Sequence, residues 1–361
     1  MTLHEVEWDA CVLEPRYDRE LESFVRREVG TVPSSVPYFT ASPWIVRSMA
    51  SLSYFGAPLV YIDYPLADLV GLVVSQDNSC RYCYGIQRTV MRVHGMPEAQ
   101  IRQIEQNFLE AEIDPRTKLA LDFARRISRA SPLVSALDAV ALREAGWSNP
   151  AIKELAFQAA LNVYMNRLMT APAIPIASVE RAAEHWALGW LAPLLRLVMR
   201  RRWRRSGVAP LEPEQRTGPW SYLVCALDGL PAAGALRTAL DEMWESTLLS
   251  RRAKALIFAV IARGLDCSLG EREARGLLDE TGPSTDEVDP ILTHLGSTLL
   301  DPVEAAIVPF ARGSIRARPV QLQQRTRALL ERLPPELVVE TVGVCALANG
   351  LCRLGVVAQL E

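Results

Sequence analysis

The chain has 361 residues, a formal charge of −3, a pI near 6.0 and 49% hydrophobic residues. That length suits two domains of about 150 residues with connectors, and the balanced charge gives no global nucleic-acid signal. No apolar run reads as long enough to span a membrane, and the N-terminus lacks a signal-peptide h-region. A cytoplasmic protein with no nucleic-acid or membrane partner is therefore expected, its seven cysteines mostly reduced thiols.

In chain order the pattern is helical. Almost every segment carries an apolar period near 3.6 residues, and β-branched alternation is absent, so an all-α chain is expected. Residues 1–30 read as a polar arm with a helix from Arg19 to Arg27. A first bundle fills 31–175 and opens at Ser42-Pro43-Trp44, where Ser is an N-cap and Pro the first helical residue. Helices are then expected over roughly 43–55, 65–76, 80–94, 97–110, 115–130, 134–145 and 149–171. Asp114-Pro115 and Ser148-Asn149-Pro150 start helices by the same logic, and Gly95 and Pro97 separate two more. Residues 176–218 form a connector, apolar from Trp186 to Met199, basic from Arg200 to Arg205, then Pro/Gly-rich over 206–218. Its basic stretch could lie on an anionic membrane surface. Pro193 and Arg196 interrupt the apolar face, however, and a strut between domains is the expectation. A second bundle fills 219–361, and Cys345 and Cys352 in its apolar terminal helix read as core residues.

Cys80-Arg81-Tyr82-Cys83 is the single C-x-x-C of the chain. Thiols at i and i+3 share a helix face, close enough for a strained, reducible disulfide. Asp77, Asn78 and Ser79 offer N-cap chemistry, which puts the pair in a helix first turn. Free N–H groups and the helix dipole there favour a thiolate. A C-x-x-C of thioredoxin type would sit in a βαβ unit, and the pattern contains none.

The stretch Asp68 to Gln87 resembles the core of the AhpD-like alkylhydroperoxidase and carboxymuconolactone decarboxylase superfamily. Redox members of that family carry an acid twelve positions before the first Cys, then C-x-x-C, then a His four positions after the second Cys. Those positions hold Asp68, Cys80, Cys83 and Gln87, while Tyr82 replaces a His often found between the thiols. Asn162 to Arg167 resembles the family's closing helix, and the resemblance spans roughly 31–175. It implies a helical bundle with Cys80, Cys83, Asp68 and Gln87 at the catalytic positions and Tyr82, Tyr84 and Arg88 around them. It also implies a small-molecule substrate such as a hydroperoxide, a protein or lipoyl-type dithiol reductant, and assembly into homo-oligomers.

A peroxide-reducing dithiol needs a group that takes and returns a proton. Asp68 could be one end of such a relay, but Gln87 cannot carry a proton. Tyr82 and Tyr84 are possible phenolic donors, and Arg81 or Arg88 could lower a thiol pKa or pair with Asp68, though Arg81 reads more as a solvated helix residue. His94 stands three turns beyond Cys83 and reads as too distant to replace the missing His. Cys80 and Cys83 supply only two zinc ligands, and His4, His94, His185 and His294 are unpaired, so neither a metal nor a cofactor is expected.

One constant shift superimposes Cys80 on Cys267, Gly95 on Gly282, Asp114-Pro115 on Asp301-Pro302, Pro132 on Pro319 and Asn162 on Asn349. This argues for two tandem bundles of AhpD-like type, packed as a pseudo-symmetric pair. In the second, Asp68, Cys83 and Gln87 become Ala255, Gly270 and Ala274. Cys267 is thus expected to lack a partner and the second bundle to be structural. The expected function is a thiol-dependent oxidoreductase that reduces a hydroperoxide or exchanges disulfides. A lyase or isomerase acting on a small organic acid, and a non-catalytic binding or assembly protein, are the alternatives.

Overall fold

The computed structural model describes residues 5–176, 207–280, 285–316 and 318–358, with 178, 192–194 and 197 between them. The basic run Arg200 to Arg205 and most of the apolar run before it lie outside the described residues. Among the described residues every element is helical, apart from one isolated bridge between Ala209 and Gly229. The helices are α1 (Arg19–Val29), α2 (Pro43–Ser51), α3 (Tyr64–Asp77), α4 (Arg81–His94), α5 (Glu98–Asn107), α6 (Pro115–Ser128), α7 (Ala136–Glu144) and α8 (Asn149–Thr170). After the connector come α9 (Ser221–Ala226), α10 (Pro231–Glu245), α11 (Arg251–Gly264), α12 (Ser268–Asp279), α13 (Thr285–His294), α14 (Pro302–Ser314), α15 (Pro319–Leu330) and α16 (Pro335–Ala358).

Local chemistry sets most of these starts. Asp63, Asp114, Ser148 and Asp301 each accept an N–H of their own first turn, and each is followed closely by a Pro whose missing donor is harmless there. Two expected caps behave differently. Ser42 precedes α2, but its hydroxyl donates to Glu340 on α16 instead of closing its own turn. Ser79 takes a left-handed φ of 52°, and Cys80 is the N-cap of α4.

Helix boundaries recur along the chain at the spacing that carries Cys80 onto Cys267. α3 and α11 are related by it at both ends, as are α5 and α13, and so are the starts of α4 and α12 and of α6 and α14. Left-handed Ser79 matches Asp266 (φ 53°). The Cys80 N–H reaches Ser75 O at 2.9 Å, just as the Cys267 N–H reaches Ala262 O.

The long helices α8 and α16 pack on each other at the centre. Both are buried on nearly all sides, the pattern of a core helix. At Gly350 a Cβ would stand 2.7 Å from the Ala160 carbonyl oxygen, so glycine sets the closest approach. Contrary to the sequence expectation, α16 is long and apolar enough to cross a membrane, yet 94% of that span is buried inside the protein. Its Glu340 accepts from Trp44 Nε1 at 2.8 Å and so ties α16 to the start of α2. The N-terminal arm also packs on the body. Trp8 donates to Ile174 O at 3.0 Å, and Asp9 pairs with Arg327 at 2.8 Å.

Gly350→Ala should therefore lower stability by about 1–3 kcal/mol, because the obstacle is backbone. Gly276→Ala on exposed α12, where a Cβ meets nothing within 4 Å, should raise it by about 0.5–1 kcal/mol through helix propensity. Urea midpoints that move in opposite directions would confirm the pair of expectations.

Candidate active site

The two thiols sit where α3 turns back into α4. Asn78 ends α3, Ser79 makes the left-handed step, and Cys80 opens α4 with its Sγ accepting the Cys83 N–H at 3.4 Å. Cys80 is fully buried and Cys83 is 8% exposed, and both are free thiols. Burial pushes the Cys83 thiol well above its ordinary value, and the neighbouring Cys80 adds to this, while Asn166 pulls it back. The expected thiolate is therefore not the resting state of Cys83, because desolvation outweighs the helix N-terminus.

Cys83 lines a cavity of about 290 Å³ and Cys80 does not. The walls are apolar: Val25 from α1, Val46 and Met49 from α2, Ile86 and Val90 from α4, and Met165 from α8. Polar groups enter at Tyr54, Tyr82, Gln87 and Asn162. Gln87 lies against α3 at Gly71, where a Cβ would stand 2.5 Å from Gln87 Nε2. Its Oε1 is buried and has no hydrogen-bond partner. Tyr82 meets Ser34 Oγ at 3.2 Å.

Asp68 is buried in a chain of three groups. The Tyr54 hydroxyl donates to Asp68 Oδ1 at 2.9 Å, and His94 Nε2 lies 2.7 Å from Oδ2. Burial raises the Asp68 pKa, opposed by His94 and Tyr54, and burial likewise raises Tyr54 well above its ordinary value. Tyr54 therefore joins this chain to the cavity wall. His94 is far from Cys83 along α4, but α3 and α4 form a hairpin and its far end meets the start of α3. Sequence reasoning weighed His94 only against Cys83 and did not consider Tyr54. The signal was the hairpin register, in which Gly71 faces Gln87 and Asp68 faces a position further along α4.

Other expected neighbours point elsewhere. Arg88 pairs with Glu98 and Glu105, not with Asp68 or a thiol. Tyr84 is buried, and its phenol is raised by burial and then by Glu105. Arg81 donates to Val6 O at 3.4 Å. Beneath the thiols, Asn78 Nδ2 donates to Asn166 Oδ1 at 3.0 Å, Asn166 Nδ2 to Ser75 Oγ at 3.1 Å, and Arg167 to Asn78 Oδ1 at 2.9 Å.

In the second half, Ala255, Gly270 and Ala274 are buried at the positions of the acid, the second thiol and Gln87. Cys267 is a free thiol whose sulfur lies against Gly355 of α16, one turn from Cys352, and Cys352 pulls its pKa below the ordinary thiol value. Among the described residues no group of three His, Cys, Asp or Glu side chains could hold a metal ion.

No protein-family model and no curated protein matches the chain. Among solved structures it is similar to the alkylhydroperoxidase AhpD core of an uncharacterized peroxidase-related protein from Ralstonia eutropha JMP134. Identity is 22%, the match covers 46% of this chain and 89% of that one, and the TM-score is 0.41.

Alkylation of Cys83 by iodoacetamide, followed by peptide mass spectrometry, should be slow at pH 7 and still rising past the ordinary thiol value of 9.0. Asn166→Ala should shift the profile further up. A rate that levels off near pH 7 would restore the activated thiolate.

Proposed function

We propose that the chain is a thiol-dependent oxidoreductase of AhpD-like type that reduces an apolar hydroperoxide at Cys83 and Cys80. The observation that carries this reading is that Cys83 opens on an apolar cavity while Cys80 Sγ lies behind it at its amide. Cys83 Sγ attacks the distal peroxide oxygen, so the S–O bond forms and the O–O bond breaks. The alkoxide takes a proton and leaves as an alcohol. Cys80 Sγ then attacks the sulfenic sulfur, a disulfide forms and water departs. An external dithiol, available in a reducing cytoplasm, restores both thiols.

Cys83 rests protonated and Gln87 cannot move a proton, so the transfer needs another route. Tyr54 faces the cavity and hydrogen-bonds Asp68, whose raised pKa suits proton exchange, with His94 behind it. The Cys83 proton passes to the Tyr54 phenol as that phenol gives its own proton to the alkoxide, and Asp68, backed by His94, holds the hydroxyl in place. The recurrence of helix boundaries at one spacing supports a duplicated bundle whose second copy braces the first.

A second reading rests on Gln87. Its Oε1 is a buried acceptor without a donor at the cavity wall, which favours a bound apolar ligand carrying one N–H or O–H group. An organic-acid lyase is less well supported, because no Arg, Lys or His is among the described residues lining the cavity.

The test is stopped-flow consumption of cumene hydroperoxide with dithiothreitol as reductant. Cys83→Ser should abolish it. Cys80→Ser should consume one equivalent and accumulate a dimedone-reactive sulfenic acid on Cys83. Tyr54→Phe and Asp68→Asn should each slow the first step by about 10². If the wild-type protein consumes no peroxide while small apolar donors raise its melting temperature, the binding reading replaces this one.

A further inference from the structure

We propose that Cys267 and Cys352 form a second redox dithiol, which a small hydroperoxide closes into a disulfide that staples α12 to α16. Cys267 stands at the N-cap position of α12 as Cys80 does in α4, without the side-chain hydrogen bond that Cys80 makes there. In the second half the i+3 position of the motif is Gly270, and Cys267 Sγ lies 3.0 Å from the point where a Gly270 Cβ would stand. α16 faces the same sulfur with Gly355, whose Cβ would be 2.8 Å away, and Cys352 sits one turn earlier on that face. Two glycines therefore clear the space through which Cys267 reaches α16. The Tyr222 hydroxyl closes the remaining side, 3.2 Å and 3.3 Å from those two Cβ points. Its oxygen is buried without a well-formed hydrogen bond and faces the Cys267 sulfur. Plain core packing would not call for two thiols, two missing side chains and an unsatisfied phenol at one spot. The site reads as a dithiol whose second sulfur has moved from the helix first turn to the neighbouring helix.

The two thiols differ in character. Cys352 holds Cys267 below the ordinary thiol value against the pull of burial, and Tyr222 adds to the lowering. Cys352 is itself pushed well above that value, first by Cys267 and then by burial. Cys267, whose Sγ stands at the start of α12 between Gly270 and Gly355, is the attacking thiol of the proposal, and Cys352 closes the bond.

With hydrogen peroxide the balance closes. Cys267 Sγ attacks one oxygen, the S–O bond forms and the O–O bond breaks. The released hydroxide takes the proton Cys267 gave up and becomes water. Cys352 Sγ then attacks the sulfenic sulfur, and the second hydroxide leaves with the Cys352 proton as a second water. Two thiols are oxidised by two electrons, and one peroxide is reduced to two waters.

Cys267 and Cys352 are 0% and 2% exposed. A water-sized oxidant reaches such a pair, but a bulky hydroperoxide or a protein reductant does not. Once closed, the bond should persist until the fold opens. It should also stiffen the contact between α12 and α16 by closing a long loop.

The experiment uses the full chain carrying Cys80→Ser and Cys83→Ser, so that it stands apart from the reading of the first site. After stoichiometric hydrogen peroxide, the protein is unfolded in N-ethylmaleimide and digested without reductant. A cross-linked peptide containing Cys267 and Cys352 is expected, along with a melting temperature higher by about 5 °C. Dithiothreitol should cleave the bond quickly in urea and at least tenfold more slowly in the native state. Cys352→Ala should instead leave Cys267 as a sulfenic acid, which a second equivalent of peroxide takes to sulfinic acid. If both thiols remain alkylated after half-buried Cys11 has been oxidised, or if Cys267 is linked elsewhere, the proposal is overturned. If the double serine variant does not fold, the same peptide in oxidised wild-type protein decides the matter.

Discussion

Two buried guanidinium groups tie the beginning of this chain to its end. Arg167 on α8 donates to Ile315 O at 2.9 Å and to Ser314 O at 3.4 Å. Arg353 on α16 donates to Ser128 O at 3.1 Å and to Ile315 O at 2.9 Å. These carbonyls end α14 and α6, where helix geometry leaves acceptors unpaired and the dipole is negative. Burial lowers both pKa values, Arg353 to about 10, and for Arg167 the neighbouring Arg353 adds to the fall. Both side chains remain cationic at neutral pH, and a charge buried this way is tolerated only while its acceptors stay in place. Arg167 thus rests on two carbonyls of the far half, while Arg353 takes Ser128 O from the near half and its other acceptors, Ile315 O and Asn349, from its own.

The thiols depend on that arrangement. Arg167 also holds Asn78, Asn78 holds Asn166, and Asn166 reaches Ser75 and bears on Cys83. The turn that places Cys80 at the start of α4 is thus anchored through side chains to carbonyls in the far half of the chain. The far half of the chain, with Ala255, Gly270 and Ala274 at the matching positions, therefore bears on this turn through the Ser314 and Ile315 carbonyls that hold Arg167. From the other side, Glu154 accepts the N–H groups of Val60, Tyr61 and Ile62, each at 2.7 Å, and so fixes the stretch of loop that leads into α3 and Asp68.

What could be read in the sequence was local. Cap-and-proline starts place α2, α6 and α8 close to where they begin, and the C-x-x-C falls in a helix first turn. The groups that escaped are those set by packing between helices. His94 and Tyr54 join Asp68 through a hairpin register that no spacing rule along α4 reveals. Arg88 could have faced the thiols by periodicity alone, but α5 brings Glu98 and Glu105 to it first. Ser42 looked like a cap, yet a buried carboxylate on α16 competes for its hydroxyl. Cys352 read as core from its apolar helix, and it is buried there; that Cys267 on another helix lies near it is invisible to a linear comparison.

The two halves treat one helix start in opposite ways, and burial explains the contrast. In α4 both sulfurs lie on the same turn, and Cys83 faces an apolar cavity with its pKa raised by burial. In α12 the i+3 side chain is gone, the freed volume is taken by a phenol, and the partner sulfur arrives from α16. The first arrangement exposes its thiol to a cavity that can admit and release molecules. The second encloses its thiols behind helices whose movement would break the central packing of α8 and α16. On the proposed reading, a dithiol of the first kind turns over, whereas one of the second kind records an oxidation and holds it.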